Sequence, residues 1–458
     1  MDMKLIVITR PDFFDGEAEA ITALLDAGLE ILHLRKPDAQ APEVEHLLQA
    51  LPPRYLCRIV LHEHFELAVR YGLRGIHLNR RHPQPPTGYQ GKISRSCHSL
   101  AEVVQGKDTC DYVFLSPVFD SISKAGYRAA FSRDELLDAA TQGIIDDKVI
   151  ALGGVDAGHV RTVRDMGFGG AAVLGDVWQH KGEEFVRHFL RLRREAMDPP
   201  VVLTIAGSDC SGGAGIQADI KTISAIGGYA ASVITALTAQ NTRGVQTVQP
   251  CSTEIICRQI SSVLTDLPVR AIKIGMIPNR DALQGILGGL SVVTSVPIVY
   301  DPVMISTSGH PLMEQGLVDE VCRKLFPRCM LITPNLNEVA LLSQRVRSSE
   351  EMETAARRLS DKYGIDVLLK GGHLGGEDMM DLLVSRGRSY PFHTPKVHSS
   401  NLHGTGCTLS SAIATELAFG ESMPASVGCA KAFIQRAILA GRQMRFGQGN
   451  GPLWHFFQ

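Results

Sequence analysis

The sequence predicts an α/β protein of two domains, a closed (β/α)8 TIM barrel followed by a second α/β domain. Three observations predict this fold class. Short β-type runs alternate with helical patterns eight times in the stretch that ends at Gly175. A break with two prolines follows, and beyond it glycine-rich loops join further strands to helices. For the first region, an open doubly wound sheet is the structural alternative.

The first region consists of β-type runs separated by helical patterns. The predicted strands are residues 5–9, 31–35, 59–62, 75–78, 93–97, 112–119, 149–154 and 171–175. The predicted helices include residues 16–27, 44–51, 65–71, 133–140 and 158–166. Because barrel chemistry takes place at the carboxyl ends of the strands, the residues that follow each run are candidates for ligand binding.

The domain boundary is predicted at residues 198–200, which leaves domains of residues 1–197 and 201–458. A charged helical pattern ends at Met197, and Pro199 and Pro200 favour an extended chain before the apolar run that begins at Val201. In the second domain, strands are predicted near Val201, Ile272, Ile298, Leu331 and Val367. With the helices between them, they indicate a sheet covered on both faces.

Composition excludes several classes of function. The 458 residues are 44% hydrophobic and 21% charged, which is enough for two to three domains with their own cores. A net charge of −2 without a basic patch argues against nucleic-acid binding. The sequence has neither an apolar stretch of membrane-spanning length nor a signal-peptide pattern, so a cytoplasmic protein is expected. Ten cysteines without a Cys-x-x-Cys pair indicate neither a zinc site nor a disulfide framework.

The most informative motif is the run at residues 403–408, just before a helix predicted from Thr408 onward. Gly404 and Gly406 provide a tight backbone, and the unpaired N–H groups of a helix start favour an anion such as phosphate. A thiol at this position is expected to be acidic, which makes Cys407 a candidate general base. The alternative interpretation is a glycine turn before a packed helix with an inert cysteine.

A second glycine-rich loop, at residues 204–215, lies between the apolar run 201–206 and a helical pattern at residues 216–226. A strand, a glycine loop and a helix in this order are typical of a ligand-binding site. The loop is neither a Walker A motif nor a dinucleotide fingerprint, because it has neither a Gly-Lys-Ser/Thr ending nor the Gly-x-Gly-x-x-Gly spacing.

On these motifs, the second domain closely resembles hydroxymethylpyrimidine/phosphomethylpyrimidine kinase, a member of the ribokinase-like superfamily that acts in thiamin biosynthesis. The matching segments are residues 206–209, 212–219, 235–242, 273–276, 301–304, 333–338, 370–373 and 403–408. The resemblance implies a ribokinase-like α/β/α sandwich. It also implies that ATP and Mg²⁺ are used to phosphorylate hydroxymethylpyrimidine and then its monophosphate. A pyridoxal-type kinase is the alternative.

The resemblance also implies roles for individual residues of this domain. The pyrimidine is expected to contact Asp219, Gln240, Met276 and Gly207, although a methionine after a strand is more often part of the core. The same comparison assigns Asn335 and Glu338 to the magnesium region, Glu338 acting through water.

The expected catalytic residues share a position near the transferring phosphate, and they are Lys370, Gly404, Thr405, Gly406 and Cys407. Residues 335–338 also have a structural interpretation, as a helix cap after Pro334.

The first domain shows a moderate resemblance to thiamin phosphate synthase over about residues 4–180. The resemblance implies condensation of the pyrimidine diphosphate with thiazole phosphate at the barrel mouth. The residues it assigns to ligand binding are Arg35, Ser96, Ser121, Ser123, Lys124, Gly154 and Gly175, and Glu63 is assigned to metal binding.

Three departures from the synthase pattern leave the activity of the barrel open. His62-Glu63 replaces an Asn-Asp pair, His82 replaces an aspartate and Pro37 replaces a lysine. Histidine is a poor ligand for Mg²⁺, which prefers oxygen. The alternatives are a thiazole tautomerase-like barrel, in which His33, His62 or His98 moves a proton, and a barrel that binds thiazole phosphate without catalysis.

Taken together, the sequence predicts a bifunctional enzyme of thiamin biosynthesis. The expected ligands are hydroxymethylpyrimidine, its phosphates, thiazole phosphate, ATP and Mg²⁺. Neither nucleic acid nor a membrane is an expected partner, and a homo-oligomer is expected.

Overall fold

The computed structural model of the chain describes residues 3–120, 128–293, 295–304, 312–372 and 378–457. The chain divides into two units, Met1–Asp198 and Pro199–Gln458.

In the described part of the first unit, eight strands form a closed barrel in chain order, and every neighbouring pair is parallel. The strands are β1 (Lys4–Ile8), β2 (Ile31–Leu34), β3 (Ile59–Leu61), β4 (Gly75–Leu78), β5 (Lys92–Cys97), β6 (Tyr112–Leu115), β7 (Val149–Ala151) and β8 (Gly170–Val173). The predicted (β/α)8 barrel is confirmed, and the open-sheet alternative is wrong.

Helices surround the barrel because each crossover between parallel strands returns along its outer face. They are α1 (Glu17–Asp26), α2 (Ala41–Ala50), α3 (Phe65–Arg70), α4 (Leu100–Lys107), α5 (Arg133–Thr141), α6 (Val160–Asp165), α7 (Gly175–Trp178) and α8 (Glu183–Ala196). Their apolar faces pack against the strands in one continuous outer core. A separate inner core, which includes Ile6, Ile8, Val60, Phe114 and Ile150, fills the barrel itself.

Strands β6 and β7 end earlier than the sequence predicts. Leu115 is followed by Ser116 and Pro117, and proline has no N–H for a further ladder hydrogen bond. After β7, Gly154 has φ +67°, and a Cβ there would lie 2.2 Å from the carbonyl oxygen of Asp120. The chain therefore leaves both strands in loops that approach each other closely at the carboxyl end of the barrel.

The second unit contains a sheet for which the described residues give nine strands, in the order β11-β10-β9-β12-β13-β14-β15-β16-β17. The strands are β9 (Val201–Asp209), β10 (Tyr229–Asn241), β11 (Gly244–Pro250), β12 (Val269–Ile274), β13 (Ile298–Tyr300), β14 (Leu331–Ile332), β15 (Asp366–Lys370), β16 (Asp378–Ser385) and β17 (Arg388–Pro395). Neighbours from β10 to β15 pair in parallel, whereas β11, β16 and β17 pair antiparallel.

Helices cover both faces of this sheet. One core packs the sheet against α10 (Thr253–Asp266), α11 (Arg280–Gly289), α12 (Val318–Lys324), α13 (Leu336–Leu342) and α14 (Ser349–Tyr363). The other packs it against α9 (Gly215–Ile226), α15 (Thr405–Ala418) and α16 (Met423–Gly441). The predicted α/β/α sandwich is confirmed.

The sequence patterns did not predict β10, β11, β16 or β17 as strands. These strands form the two margins of the sheet. In β10 buried positions are interspersed with exposed or half-buried ones, whereas β11 and β17 have only exposed and half-buried positions, and β17 includes Pro391 and Pro395. In β16, residues 381–385 are buried, but Asp381 interrupts the apolar run. These strands therefore lack the continuous apolar run that marks a central parallel strand, and the sequence patterns found only the centre of the sheet.

Candidate active sites

The two predicted glycine loops of the second unit lie against each other. Gly404 precedes α15 with φ +88°, and a Cβ there would lie 1.9 Å from the carbonyl oxygen of Gly213. In the other direction, a Cβ on Gly213 would lie 2.4 Å from the ring of His403. Glycine is required at both positions by the close approach, and at Gly404 also by the left-handed backbone.

Asp209, at the end of β9, stabilises the contact between the two glycine loops through hydrogen bonds. One carboxylate oxygen accepts hydrogen bonds from the backbone N–H of Gly213 and Ala214 and from Nε2 of His403 at 2.9 Å, and the other accepts from Ser211. Burial raises the pKa of Asp209, but the hydrogen bonds from His403 and Ser211 outweigh this and hold the pKa well below its usual range. Asp209 is therefore an ionised anchor that joins loops 194 residues apart. The sequence patterns predicted no individual role for Asp209 or His403.

The structure corrects the expectation that Asp219 contacts the pyrimidine. Asp219 is fully buried, and its oxygens accept hydrogen bonds from Thr204, Ser411 and, at 2.7 and 2.9 Å, from Nζ of Lys273. Four hydrogen bonds fill the acceptor positions of a carboxylate. Asp219 thus binds protein groups beneath the site rather than a ligand.

Three other predicted pyrimidine contacts lie at the carboxyl ends of neighbouring strands. A Cβ on Gly207 would lie 2.8 Å from Sδ of Met276, so the thioether fills the space that this glycine leaves open. Met276 is 7% exposed, which also fits the core interpretation. Gln240, near the end of β10, hydrogen-bonds through its side chain to Asp209 and through its backbone to Cys210.

Lys370 and Asp301 meet at the start of α15. Nζ of Lys370 lies 2.8 Å from Oδ1 of Asp301, which also accepts a hydrogen bond from Thr333. A Cβ on Gly406 would lie 3.2 Å from Oδ2 of Asp301 and 3.4 Å from Nζ of Lys370. Burial lowers the pKa of Lys370, but the carboxylates of Asp301 and Glu338 reverse the effect and keep it charged. Asp301 had no assigned role, although a polar residue directly after a buried strand was a usable signal.

Asn335 and Glu338 form a helix cap. Asn335 accepts hydrogen bonds from the backbone N–H of Asn337 and Glu338, and Glu338 accepts one from the backbone of Asn335. This capping box is the structural interpretation of the pattern. Burial and the nearby Asp301 raise the pKa of Glu338 to about 7, although Lys370 opposes this.

The carboxylates of Asp301 and Glu338 are the oxygen donors that would hold Mg²⁺ here, with water as the remaining ligands. Burial is the main cause of the raised pKa of Glu338 and Asp301 adds to it, so a bound cation would favour the ionised form of Glu338. A bound magnesium ion would neutralise phosphate charge.

The predicted acidic thiol is wrong. Burial raises the pKa of Cys407 to about 11, and the opposing charge of Lys273 does not overcome it. The carboxylates of Asp219 and Asp301 add to the increase, because a thiolate beside them is repelled. Position at a helix start is therefore a weaker influence here than burial among carboxylates, and Cys407 is a neutral thiol in the ligand-free protein.

In the barrel, Arg35 and Ser96 lie at the carboxyl ends of their strands. Arg35 follows β2 and is half-buried, and Ser96 near the end of β5 shares a hydrogen bond with Nε2 of His77 at 2.9 Å. Gly154 is in the loop after β7, and Gly175 is the first residue of α7 after β8. The predicted loop residues Ser121, Ser123 and Lys124 lie outside the described residues.

The tentative assignment of Glu63 to a metal site stays a prediction, and in the ligand-free structure both oxygens of Glu63 contact protein groups. Oε1 of Glu63 lies 2.7 Å from the guanidinium of Arg81, and Oε2 accepts a hydrogen bond from the backbone N–H of Lys36. Lys36 itself is buried, and its ammonium group binds Glu17 and two backbone carbonyls of the loop after β1. These ion pairs connect the loops around the barrel mouth, and a metal at Glu63 would have to displace Arg81.

Comparisons with known proteins match each of the two units to a protein family. A sequence model for the family described as Phosphomethylpyrimidine kinase matches residues 209–454, and one described as Thiamine monophosphate synthase matches residues 5–177. The Thiamine biosynthesis bifunctional protein ThiED of Geobacter sulfurreducens is 35% identical over 466 residues, covering 98% of this chain and 93% of that protein. This chain belongs to the family of bifunctional thiamine biosynthesis proteins. Its domains are a phosphomethylpyrimidine kinase domain and a thiamine phosphate synthase domain.

Two further relatives resemble about half of this bifunctional protein. The Hydroxymethylpyrimidine/phosphomethylpyrimidine kinase of Rhizobium meliloti is 45% identical and covers 56% of this chain and 97% of its own length. The structure of the pyridoxal kinase from Staphylococcus aureus in complex with ADP is 32% identical, with a TM-score of 0.52, and covers 56% of this chain and 94% of its own. The kinase domain therefore shares its ribokinase-like fold with pyridoxal kinases.

We predict that Gly404→Ala lowers kinase kcat/KM by at least about 10²-fold, the usual effect of losing one positioned anion donor. The added methyl group meets the carbonyl of Gly213 and must displace the helix start. Gly364→Ala is the matched control, because Gly364 also has positive φ but no atom within 4 Å of the new Cβ. It should leave kcat/KM within about threefold of the parent. Near-normal activity of Gly404→Ala would mean that this loop does not hold the phosphate.

We predict that Glu338→Gln raises the Tm of the ligand-free protein at pH 8 by roughly 3 °C or more. A carboxyl group whose pKa is raised to about 7 by folding destabilises the native state as pH rises from 4.5 through 7. The difference in Tm should therefore vanish as pH approaches 4.5, while kinase activity at pH 8 falls.

Glu320→Gln is the control of opposite sign. Hydrogen bonds from Lys324 and Arg280 lower the pKa of Glu320 to about 2, so its neutral replacement should lower the Tm at pH 8. A lower Tm for Glu338→Gln at pH 8 would contradict the destabilisation that we assign to the carboxyl group of Glu338.

Proposed function

We propose that the chain carries out successive steps of thiamin phosphate synthesis in the cytoplasm. The kinase domain, residues 201–458, uses ATP and Mg²⁺ to phosphorylate hydroxymethylpyrimidine and then its monophosphate. The barrel, residues 1–197, condenses the resulting diphosphate with thiazole phosphate and releases pyrophosphate. The observation that carries the kinase proposal is the helix start at Gly404–Cys407 directly beside Lys370 and Asp301.

The kinase site provides what phosphoryl transfer requires from a protein, which is positioning and neutralisation of charge. The N–H groups at the start of α15 lie beside the ammonium group of Lys370. A loose transition state needs removal of the hydroxyl proton only late in the reaction, as the bond to phosphorus forms. Cys407 can accept that proton only as a thiolate, so its own proton would first have to leave to water, and the nearby charge of Lys273 favours this form.

The pyrimidine would lie beside Met276 and Gly207, because the thioether presents a polarizable surface to a flat ring. A pyridoxal-type kinase is the alternative, supported by the shared fold. Purified full-length protein should phosphorylate hydroxymethylpyrimidine with a kcat/KM at least about tenfold above that for pyridoxal, which is a difference of about 1.4 kcal/mol in transition-state binding. The reverse preference would favour the alternative.

In the barrel, Arg35 and Ser96 support binding of a phosphorylated ligand at the carboxyl ends of the strands. The ion pair of Glu63 with Arg81 argues against a metal at that position and therefore favours the tautomerase-like or binding-only alternatives over the condensation. The family match over residues 5–177 favours the condensation.

The cysteines support the proposed compartment, because all ten are free, as expected where the surroundings are reducing. The homo-oligomer stays a prediction: Tyr229 and Leu237 on β10 are 57% and 51% exposed but lie too far apart along the strand to form one apolar patch.

We predict that Cys407→Ala lowers kinase kcat by at least about 10²-fold, the usual effect of losing a general base. Because the thiol is neutral in the ligand-free enzyme, KM for hydroxymethylpyrimidine should change by less than about threefold. Steady-state kinetics with Cys251→Ala as the control separates this effect from a general loss of thiols. If kcat falls by less than about threefold, Cys407 is not the general base.

We predict that Arg35→Met lowers pyrophosphate release from pyrimidine diphosphate plus thiazole phosphate by at least about 10²-fold in the full-length protein. The substitution would remove the charge-assisted hydrogen bonds that the guanidinium is expected to donate to the ligand, and kinase activity of the same variant is measured in parallel and should stay within about threefold of the parent. Arg133→Met, an exposed arginine at the start of α5, is the control. If the unmodified protein releases no pyrophosphate, the condensation is refuted for this barrel.

A further inference from the structure

The chain that follows α16 contacts both sides of the proposed kinase site. Helix α16 ends at Gly441, and residues 447–455 then pass along the turn between β10 and β11 and along the start of α15. The sequence patterns predicted no role for these residues. Below, residues 447–455 are called the bridging segment.

The first part of the bridging segment binds the turn that joins β10 to β11. The backbone N–H groups of Gln448 and Gly449 donate to Oγ1 of Thr242 at 3.2 and 3.1 Å. The N–H of Asn450 donates to the carbonyl oxygen of Thr242 at 2.8 Å. A Cβ on Gly449 would lie 2.1 Å from that carbonyl oxygen, so the two backbones are in direct contact. Because Thr242 is two residues beyond Gln240, these bonds fix the side of the site where the pyrimidine is expected.

The second part binds the chain just before the proposed phosphate loop, residues 404–407. The N–H of His403 donates to the carbonyl oxygen of Gly451 at 3.0 Å, and His403 forms an isolated parallel bridge with Pro452. A Cβ on Gly451 would lie 2.1 Å from Oδ1 of Asn401. Asn401 is 4% exposed, and its Nδ2 donates to two carbonyl oxygens at and just beyond the end of α16. One side of the phosphate loop is therefore fixed to the bridging segment.

His455 binds the other side of the phosphate loop. Its Nε2 lies 2.9 Å from Oγ1 of Thr408, and the two residues are 3% and 0% exposed. Thr408 directly follows the loop, and its N–H donates to the carbonyl oxygen of Gly404 in the first turn of α15. The residues on both sides of the loop, His403 and Thr408, are thus bound by one short stretch of the bridging segment.

The contact of His455 with the site is indirect. Burial lowers the pKa of His455 to about 4, and the charge of Lys221 adds to the decrease, so the ring is neutral at neutral pH. The ring nitrogen that faces α15 is bound to the hydroxyl group of Thr408. His455 therefore acts through Thr408, which makes it a positioning residue rather than a catalytic residue.

Burial of apolar surface is the competing explanation for the position of the bridging segment. Leu453 is 3% exposed and belongs to the core between the sheet, α15 and α16. This burial explains why the segment lies against the domain. It does not explain the hydrogen bonds to Thr242, His403 and Thr408, which all lie in or directly beside loops of the proposed site.

The distance between the two sides of the site matters for the reaction. Phosphoryl transfer depends mainly on positioning and charge neutralisation, and a misplacement of about 1 Å can cost about 10²-fold in rate. A segment that binds both the pyrimidine side and the phosphate side sets how far apart the acceptor hydroxyl group and the phosphate are.

We propose that the bridging segment fixes the distance between the bound pyrimidine and the phosphate loop, with His455 as the residue that positions the loop for phosphoryl transfer. The inference rests on the proposed kinase function. Loss of either contact should lower kcat and leave KM nearly unchanged, because the groups that bind the two substrates stay in place.

His455→Leu tests the proposal, because it removes the hydrogen bond to Thr408 and keeps an apolar side chain at a buried position. In full-length protein, kcat for hydroxymethylpyrimidine should fall at least about tenfold, with KM for this substrate and for ATP within about threefold. His455→Gln has an amide that can still reach Thr408, so its kcat should stay within about threefold of the parent. Steady-state kinetics are measured well below the Tm of each variant, so that unfolding does not affect kcat.

Ser385→Ala is the matched control. Ser385 is 4% exposed and donates a hydrogen bond of 2.7 Å to Asp366, which begins β15 at the end of the strand opposite Lys370. Its loss should lower the Tm and leave kcat within about threefold of the parent. If His455→Leu likewise lowers only the Tm, or if His455→Gln loses as much kcat as His455→Leu, the positioning role is overturned.

A double variant tests whether the two contacts act together. Thr242→Val removes the oxygen that accepts from Gln448 and Gly449 and nearly conserves the volume of the side chain. Its kcat should also fall, and the double variant with His455→Leu should lose no more than about threefold beyond the lower single variant, because either change already separates the two sides. Losses that multiply in full would mean two independent contacts and would overturn the bridge.

The outcomes also separate the bridging segment from the proposed function. If the unmodified protein phosphorylates hydroxymethylpyrimidine and the variants keep its kcat, the bridge is refuted and the kinase proposal stands. If the unmodified protein phosphorylates only pyridoxal, the pyrimidine kinase proposal fails, and the same variants assayed with pyridoxal decide whether the segment positions the loop. Absence of phosphorylation with both substrates would refute both proposals.

Discussion

The kinase site depends on one buried carboxylate. Asp219 on α9 accepts hydrogen bonds from Thr204 on β9, Lys273 on β12 and Ser411 on α15, so a single side chain joins two strands and two helices. A buried charge with all its acceptor positions filled holds its neighbours in one geometry, since the loss of any partner leaves an uncompensated group. The direction of α15, and with it the position of the helix start that we propose binds phosphate, follows from this arrangement.

A second constraint, shared by both domains, is the parallel sheet. Strands that are buried on both faces leave room for polar groups mainly where the strands end. The charged residues of both candidate sites accordingly lie at strand ends. They are Arg35 after β2, Asp209 at the end of β9, Asp301 after β13 and Lys370 at the end of β15. The buried side chains of His33, His77 and Tyr112 within the barrel are the exception. They are tolerated because each has a hydrogen-bond partner, which removes most of the cost of burial.

Sequence patterns predicted the features that depend on local geometry. The glycines at 404 and 213 were found because close backbone contact leaves few alternatives, and the buried strands were found from continuous apolar runs. The errors at Asp219 and Cys407 have a common physical cause. Whether a carboxylate is free or a thiol is acidic depends on partners far away in sequence, such as Lys273, and spacing within a motif carries no information about them.

The hydrogen bond between Asp209 and His403 has a consequence for synthesis on the ribosome. The barrel is closed by residues that end at Val173 in β8, so this domain can complete its fold while the kinase is still being translated. The kinase domain cannot do the same, because Asp209 can form its hydrogen bond to His403 only after 194 further residues have been synthesised. Until then, the sheet of the kinase domain is incomplete in the nascent chain. Because the barrel comes first in the sequence, the domain that would use the pyrimidine diphosphate folds before the domain that would make it.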